Sequence, residues 1–412
     1  MMNIKRMIKV NKLIICTLTF LFCVHLQAQH STSSPYSMIG LGEFDSKTYG
    51  ITSGMANAGA GLYSVGTLNL SNPSALAVDS LSFLFDLSVG GKISKYSNTS
   101  TQEGAANFNV KKVAAGVRIF SKLSLALGML PYSNVQYKVK DKIYVEGRPD
   151  ETTDIYYDGS GGLSKFFLSG SYKLLPNLNV GMNVSYLFGR INRTEAHSLH
   201  SVRHSVEIDK ILADFGLMYH KILNPSLVLS AGLTYAYRTE IKMKNYSTYT
   251  MSGESRRNTS TYTSLPHNLG AGFAVQSSKD RTYRALSIDY KLQKWSDIQS
   301  PDQRTHYTDS HRINAGASYI YNYRTPRNYF QRIQYQAGLY YEKTNLIVHG
   351  SSLRESGITA GVILPIKNSP TQLFISTDFG YRGGNNLIGE KIARINLGVC
   401  MNQQWFVKWF YD

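Results

Sequence analysis

Apolar and polar residues alternate along most of the chain after Asp79. In the segment Leu178–Phe188, every second residue is Leu, Val, Met, Val, Tyr or Phe, and most of the residues between them are Asn, Gly or Ser. The segments Leu227–Arg238, Ile313–Tyr321 and Ile333–Tyr341 repeat the pattern. Because successive side chains of a strand point to opposite faces, the pattern predicts strands with one apolar face and one face of small polar residues.

Counting these segments predicts 14 strands between residues 80 and 403, and an even number places both ends of the series on the same side. Every second connection is short, as at Phe120–Lys122 and Leu175–Asn177, whereas Val145–Thr152 and Thr194–Ser205 are longer and more polar. Short turns at one end and long loops at the other are typical of outer-membrane barrels. We therefore predict an all-β fold, a transmembrane antiparallel β-barrel with periplasmic turns, in preference to a soluble secreted β-sandwich.

The first 28 residues indicate export. Four basic residues between positions 5 and 12 precede the apolar run Leu13–Leu26, and a small residue, Ala28, precedes Gln29. This order is typical of a secretory signal peptide, and the run is shorter than the roughly 20 residues that a membrane-spanning helix needs. We predict cleavage before Gln29 and a location in the outer membrane of a Gram-negative bacterium.

The stretch from Pro35 to Val78 shows neither alternation nor a helical period, and it is rich in Gly, Ser, Ala and Asn. A connection of this length without regular structure is usually functional or disordered. We interpret residues 29–79 as a hatch, meaning a plug segment inside the barrel lumen, and residues 80–412 as the barrel. An irregular backbone in a lumen must turn tightly and satisfy its own polar groups, which favours small residues.

Composition changes this picture only slightly. Removal of residues 1–28 would take the formal net charge from +17 to +13, and the remaining Lys and Arg are dispersed. Anionic lipid head groups or a charged lumen explain such a balance better than nucleic acid does in an exported protein. Cys400 is the only cysteine outside the predicted signal peptide, so no disulfide framework is expected.

Two motifs in the predicted hatch resemble the FadL/TodX family of outer-membrane transporters for long-chain fatty acids and aromatic hydrocarbons. The segment Met55–Gly61 reads MANAGAG and leads into Ser71–Ala77, which reads SNPSALA. The family has Asn-Pro-Ala in the second motif, and Ser74 stands here in place of the alanine. The resemblance implies a 14-stranded barrel with an N-terminal hatch. The hatch or gate residues that it implies are Gly59, Gly61, Asn72 and Pro73.

A third match is Gly128–Tyr132, which reads GMLPY in the predicted third strand. Proline cannot donate to a strand ladder, so it marks an edge or a bulge. In the family's fatty-acid transporters the third strand is kinked and opens the wall toward the bilayer. The resemblance implies such a lateral opening at Gly128 and Pro131, and a bulge without a function is the alternative.

The extrapolated alternation places several charged residues on the inner face of the barrel. A charge on the lipid face would cost about 2–4 kcal/mol at mid-bilayer, so this inward phase supports the barrel. The charges either form ion pairs that brace the hatch or guide a substrate carboxylate, for which Arg118, Arg238 and Arg394 are the candidates. The full set is Asp86, Arg118, Asp214, Arg238, Asp289, Asp378 and Arg394.

Motifs for catalysis are missing from the sequence: there is no nucleophile elbow, no HExxH and no phosphate-binding loop. The glycines at 59, 61 and 66 lack the strand–turn–helix context of a dinucleotide site. His197, His200 and His204 are close in sequence, but a polar loop explains them better than a metal site. We therefore expect no enzyme activity, no cofactor and no metal.

Two functions are compatible with this sequence. The first is a channel for passive uptake of hydrophobic small molecules such as long-chain fatty acids, with a hatch-gated and lateral exit. The second is a FadL-like scaffold or shuttle barrel that partners exported proteins in secretion or outer-membrane biogenesis. The expected partners are a hydrophobic ligand, outer-membrane lipids and the barrel assembly machinery during biogenesis, without nucleic acid and with the protein as a monomer. A continuous apolar lumen would favour the first function, and a lumen filled by hatch and ion pairs would favour the second.

Overall fold

The structure is a computed structural model. It describes residues 34–45, 49–63, 66–76, 82–97, 102–145, 148–197, 200–249, 255–257, 260–298, 306–348, 350–367 and 369–404. The predicted signal peptide and residues 405–412 lie outside these residues.

Twenty strands and four short 3₁₀ turns make up the regular structure of the described residues. The strands are β1 Glu43–Phe44, β2 Ser82–Ser97, β3 Gln102–Phe120, β4 Leu123–Asn134, β5 Tyr137–Val145, β6 Arg148–Leu175, β7 Leu178–Ala196, β8 Ser201–Asn224, β9 Leu227–Ala236, β10 Thr239–Tyr249, β11 Ser255–Arg257, β12 Thr261–Leu265, β13 Asn268–Ser277, β14 Tyr283–Gln293, β15 His306–Tyr307, β16 Ser310–Ile320, β17 Gln334–Val348, β18 Ser351–Pro365, β19 Gln372–Gly383 and β20 Gly389–Gln404. The 3₁₀ turns are Pro35–Met38, Ser53–Met55, Pro73–Ala75 and Tyr329–Arg332.

Strands β2 to β20 close into one antiparallel barrel. Four of the barrel strands are interrupted by breaks and therefore appear as two or three elements each: β4 with β5, β9 with β10, β11 to β13, and β15 with β16. When each of these groups is counted as one strand, the barrel has 14 strands. The first and last strands close it through a continuous ladder from Ser82–Gln404 to Ser97–Gly389. The predicted fold class and strand count are confirmed.

The outer wall carries the apolar face that the alternation predicted. In β7, Met182, Val184 and Tyr186 point outward and are exposed, whereas Ser185 and Leu187 point inward and are buried. Exposure of so many Leu, Ile, Phe and Tyr side chains to water would be unfavourable. In a transmembrane barrel this apolar outer face is in contact with lipid. Ile211, Leu286 and Ile358 are each more than 60% exposed on this wall. Among the described residues, no helical segment is long and apolar enough to cross a membrane.

The two ends of the barrel differ. At the turn end, β3–β4, β6–β7 and β8–β9 are joined by two residues each. At the opposite end, here called the loop end, two of the predicted loops are largely strand, because β6 begins at Arg148 and β8 at Ser201. The outward face there carries exposed ion pairs, Lys244–Asp209 at 2.5 Å and Arg190–Glu207. Charges of this kind mark where the wall leaves the hydrocarbon layer.

The hatch runs through the lumen from the loop end to the turn end. Near the loop end, the Tyr36 hydroxyl donates to the carbonyl of Ile388 at 2.6 Å, just before β20 begins. Near the turn end, the Ser171 hydroxyl donates to the carbonyl of Ser74 at 3.0 Å. Among the described residues of the hatch, regular strand pairing is limited to β1, and the remaining backbone hydrogen bonds are made by turns and by contacts with the barrel wall.

Candidate functional site

A belt of inward-facing glycines lets the hatch backbone lie directly on the wall. An added Cβ at Gly338 would meet the backbone N of Ala56 at 2.6 Å, and one at Gly361 would meet the Cα of Gly54 at 2.9 Å. Both distances are shorter than atoms tolerate, so only glycine fits. The belt consists of Gly181, Gly216, Gly232, Gly272, Gly316, Gly338 and Gly361, on strands from β7 to β18.

Neighbouring members of the glycine belt face each other across the ladders. Gly181 pairs with Gly216, Gly232 with Gly272, and Gly316 with Gly338. Two hatch residues predicted from the sequence, Gly61 and Pro73, press against this belt: Gly61 lies on Gly272, and Pro73 lies on Gly181 and Gly216. The small residues of hatch and wall therefore serve one purpose, which is close approach of two backbones.

Polar side chains fix the hatch at two of the predicted gate residues. The carboxylate of Asp289, on β14, accepts the backbone N–H groups of Gly59 and Ala60 at 2.7 and 2.8 Å. Asn72 is fully buried, and its Oδ1 accepts the N–H of Ser74 at 3.0 Å. The Nδ2 of Asn72 donates to the carbonyls of Ala60 and Leu217, both at 3.1 Å.

The other main anchor of the hatch is a buried cluster of ionised side chains near the loop end. Arg382 is its centre: Nη2 lies 2.6 Å from a carboxylate oxygen of Glu43 and 2.6 Å from one of Glu355, and Nη1 lies 3.3 Å from Glu390. Glu43 belongs to the hatch strand β1, so this contact joins hatch to wall. The ion cluster comprises Glu43, Lys92, Glu355, Asp378, Arg382, Glu390 and Arg394.

The charge state of Glu43 depends on these partners. Burial by itself would raise the pKa of the Glu43 carboxyl, but the charges of Arg382 and Lys92 outweigh burial and hold its pKa well below the ordinary value. Lys92 Nζ lies 2.9 Å from Glu43 Oε2. Glu43 is therefore ionised at neutral pH, and this partly buried carboxylate ties β1 to the wall.

A seam interrupts the wall beside β1. The ladder between β3 and β4 begins at the turn end and stops at Val113–Met129, two residues before Pro131. Beyond that level, β1 pairs with the edge of β4 through Glu43–Asn134 and Phe44–Ser133. Side chains bridge the rest of the seam: Asn107 donates to Gln136 at 2.9 Å, and Lys111 Nζ lies 3.2 Å from Asp45 of the hatch. Pro131 and Gly128 therefore lie near the point where the edge of β4 stops pairing with β3 and begins to pair with β1.

Two cavities flank β1 within the lumen. The larger has a volume of about 270 Å³ and is lined by aromatic and by cationic side chains. The smaller, about 120 Å³, lies on the side of the ion cluster. Both touch Phe44, Asp45 and Lys111, so β1 separates them. The larger cavity reaches Pro131 at the seam.

The three predicted carboxylate-binding arginines have different surroundings. Arg394 is buried in the ion cluster, where Nη1 contacts Glu355 at 3.0 Å and Asp378 at 3.2 Å. Arg118 lies near the turn end, two residues before β3 ends, and outside the lining of both cavities. The predicted inward phase of Arg238 is wrong. Arg238 is exposed, because the break between β9 and β10 interrupts the alternation that we extrapolated across it.

The other predicted inward charges lie inside. Asp86 is buried against Lys112, with Nζ and Oδ2 2.5 Å apart, and Asp214 lines the larger cavity. Sequence reasoning missed Lys112, Arg382 and Glu43. An inward-facing carboxylate such as Asp86 signals that a buried cation is needed, but it does not say which one.

The three histidines do not form a metal site. The rings of His197 and His200 stack with centroids 4.6 Å apart, and His204 Nδ1 lies 3.0 Å from the Ser247 hydroxyl. No group of three or more metal-ligating side chains occurs within the described part of the chain.

Comparison with solved structures identifies the fold. A FadL homologue from Pseudomonas aeruginosa matches with a TM-score of 0.59 and 13% identity over 89% of this chain and 100% of that chain. The toluene transporter TbuX of Ralstonia pickettii gives 0.58 and 13%, over 86% of this chain and 98% of that chain. TodX, the toluene transporter of Pseudomonas putida, gives 0.53 and 14%, over 88% and 99%. The barrel thus has a FadL/TodX-type fold, which the hatch motifs had suggested.

Among curated proteins, none matches this sequence. A family model does match: the model described as BamG covers residues 7–412, nearly the whole chain. The protein therefore belongs to the BamG family, and its own fold is a FadL/TodX-type β-barrel.

Proposed function

We propose that this protein is a plugged scaffold barrel of the Gram-negative outer membrane, one that partners other proteins in outer-membrane biogenesis. The observation that carries the proposal is the filling of the lumen. The glycine belt holds the hatch backbone against the wall, and the ion cluster occupies the loop end beside it.

The volumes of the cavities support the same choice. Sites that enclose a drug-sized ligand typically measure about 300–1,000 Å³ and are mostly apolar. The larger cavity, about 270 Å³, is smaller and is lined by Lys111, Lys165, Lys291 and Arg312 as well as by aromatic rings. A lumen of this kind fits a rigid body better than a conduit.

A barrel that has lost an open lumen can still offer a membrane-embedded wall and extramembrane edges to a partner.

The test is purification from native outer membranes in mild detergent, followed by identification of co-purifying proteins and by uptake assays in liposomes. We expect at least one protein partner in a stoichiometric ratio. We also expect no uptake of a fluorescent long-chain fatty acid above that of empty liposomes. Rapid uptake by a preparation that contains no partner would overturn the proposal.

Uptake of hydrophobic compounds is the second candidate, and one observation favours it. The larger cavity combines Trp295 and Phe167 with cationic groups and reaches Pro131 at the seam. A hydrophobic ligand with an acidic group could pass from this cavity to the bilayer if β1 left the seam. In that case the liposome assay gives uptake, and a short crosslink between cysteines introduced at Asn107 and Gln136 abolishes it.

A further inference from the structure

One connection at the turn end differs from all others there. Between β16 and β17 it comprises residues 321–333, whereas the connections after β3, β6 and β8 contain two residues each. We name residues 321–333 the arginine loop, because Arg324, Arg327 and Arg332 are its charged residues. The two remaining connections at this end, residues 278–282 and 366–371, are also much shorter than the arginine loop, so its length calls for an explanation.

The arginine loop is ordered by its own polar groups. Asn322 accepts the N–H of Thr325 at 3.0 Å and donates to the carbonyl of Thr325 at 2.7 Å. Asn328 caps the 3₁₀ turn by accepting the N–H of Gln331 at 3.2 Å, and Gln331 accepts the N–H of Arg327 at 2.9 Å. The loop therefore presents its side chains from a fixed backbone, which lowers the entropy cost of binding.

The side chains that the arginine loop presents are aromatic and cationic. Phe330 is 70% exposed, and Tyr321, Tyr323 and Tyr329 are exposed as well. No Asp or Glu occurs between residues 310 and 341. The preceding turn, Lys279–Thr282, adds Lys279 and Arg281 together with one acidic residue, Asp280. This turn is joined to the loop because Tyr323 donates its N–H to the carbonyl of Arg281 at 2.9 Å.

The position of the arginine loop indicates the occupant. The hydroxyl of Tyr335, on the outward face of β17, donates to the carbonyl of Phe330 at 3.4 Å. The guanidinium of Arg284 lies 6.0 Å from the ring centre of Tyr319 on the same outer face. Leu286 and Leu339, a few residues further along these strands, belong to the apolar wall. The loop thus lies at the level where lipid head groups meet hydrocarbon.

We propose that the arginine loop is a binding surface for the head groups of anionic phospholipids in the leaflet at the turn end. Guanidinium groups match phosphate geometry and remain charged at all physiological pH values. Tyr and Phe rings anchor at the membrane interface, and clustered basic residues next to a membrane favour anionic over neutral lipids. This surface is independent of the lumen and of the proposed function.

The test uses the full-length barrel in mixed micelles that contain equal amounts of phosphatidylglycerol and phosphatidylcholine. Lipids that remain bound after purification are quantified by mass spectrometry. Each removed arginine should lower the preference for phosphatidylglycerol by up to about fivefold. The triple variant Arg324→Gln, Arg327→Gln, Arg332→Gln should therefore lose the preference. The matched control is Lys138→Gln, Lys140→Gln, Lys142→Gln on β5 at the loop end, which removes the same charge and should keep it.

Further measurements keep the proposal open to refutation. Heat-modifiable migration on gels shows whether each variant has folded as a barrel, and Phe330→Ala should lower total bound lipid without changing the preference. Equal preference in the wild type and the triple variant would overturn the proposal. So would competition by soluble glycerol phosphate at millimolar concentration, which would indicate a site for free phosphate. Loss of an acidic protein partner with unchanged lipid binding would also overturn it.

Discussion

The hatch is held in two different ways on the two sides of the lumen. Against β7 to β18, the glycine belt allows the hatch backbone to lie directly on the wall backbone, and this contact depends on close steric packing. On the other side, the hatch is held at the seam by the two-residue ladder of β1 and by Lys111–Asp45. Beside the seam, on β2 and on β18 to β20, it is held by the ion cluster. A closely packed contact is lost as a whole when the two backbones separate. Ion pairs and the hydrogen bonds of a short ladder can be broken one at a time.

This difference indicates where the molecule can change and where it cannot. A movement of the whole hatch would have to break every glycine contact at once. A movement confined to residues 34–45 would break β1, its ion pairs and hydrogen bonds such as that of Tyr36 to Ile388, but it would leave the glycine belt intact. The seam is therefore the adjustable side of an otherwise rigid plug, and each anchor can be tested separately.

The largest effect is expected from the ion cluster. Arg382→Met leaves Glu43, Glu355 and Glu390 buried without their central cation, and breaking a buried ion pair in this way costs about 3–5 kcal/mol. The loss should appear as a lower denaturant midpoint for barrel unfolding. The control is Arg190→Met, which removes an exposed pair with Glu207 and should cost at most about 1 kcal/mol. Equal midpoints for the two variants would show that the ion cluster contributes little.

A smaller effect is expected from the glycine belt. Gly272→Ala adds a methyl group where Gly61 and Asp289 already lie, and overpacking of this kind costs about 1–3 kcal/mol. Limited proteolysis should then cut the hatch faster. Gly104→Ala is the control, because its methyl would meet only a carbonyl oxygen of Ser94 at 3.9 Å. If both variants resist protease like the wild type, the belt does not hold the hatch.

The smallest effect is expected from pH. The pKa of Glu43 is lowered in the folded state, so its stabilising contribution is complete above the ordinary value of 4.5 and is lost as pH falls below it. Hydrogen exchange of residues 34–45 should therefore speed up between about pH 5 and pH 3, relative to exchange in the glycine-contacting part of the hatch. Glu43→Gln should flatten this dependence. An unchanged profile in that variant would assign the acid sensitivity to other carboxylates.

The sequence predicts the barrel well because alternation is a local signal. Each strand reports its own two faces, as Met182 and Ser185 do, and the count of strands follows without knowledge of the pairing. Arg238 shows where this reasoning fails. A break of one or two residues shifts the phase, and nothing in the neighbouring residues announces it before the strands are assembled.

The anchors of the hatch were predictable only in part. Gly59, Gly61, Asn72 and Pro73 stand out because small residues and an Asn-Pro pair are local features. Arg382 and Glu43 are 339 positions apart, and their contact exists only after the barrel closes. Lys112 illustrates the same limit, since a lysine next to Lys111 gives no sign that one of the two is fully buried and the other bridges the seam.

The buried position of Cys400 has a practical consequence. It is the only cysteine in residues 29–412, and it lies on β20 beside Asp86, where its thiol is almost inaccessible. Alkylating reagents reach such a sulfur only when the surrounding groups separate. The rate at which the unaltered protein reacts with a maleimide therefore measures how often its own interior opens, in living cells as well as in detergent.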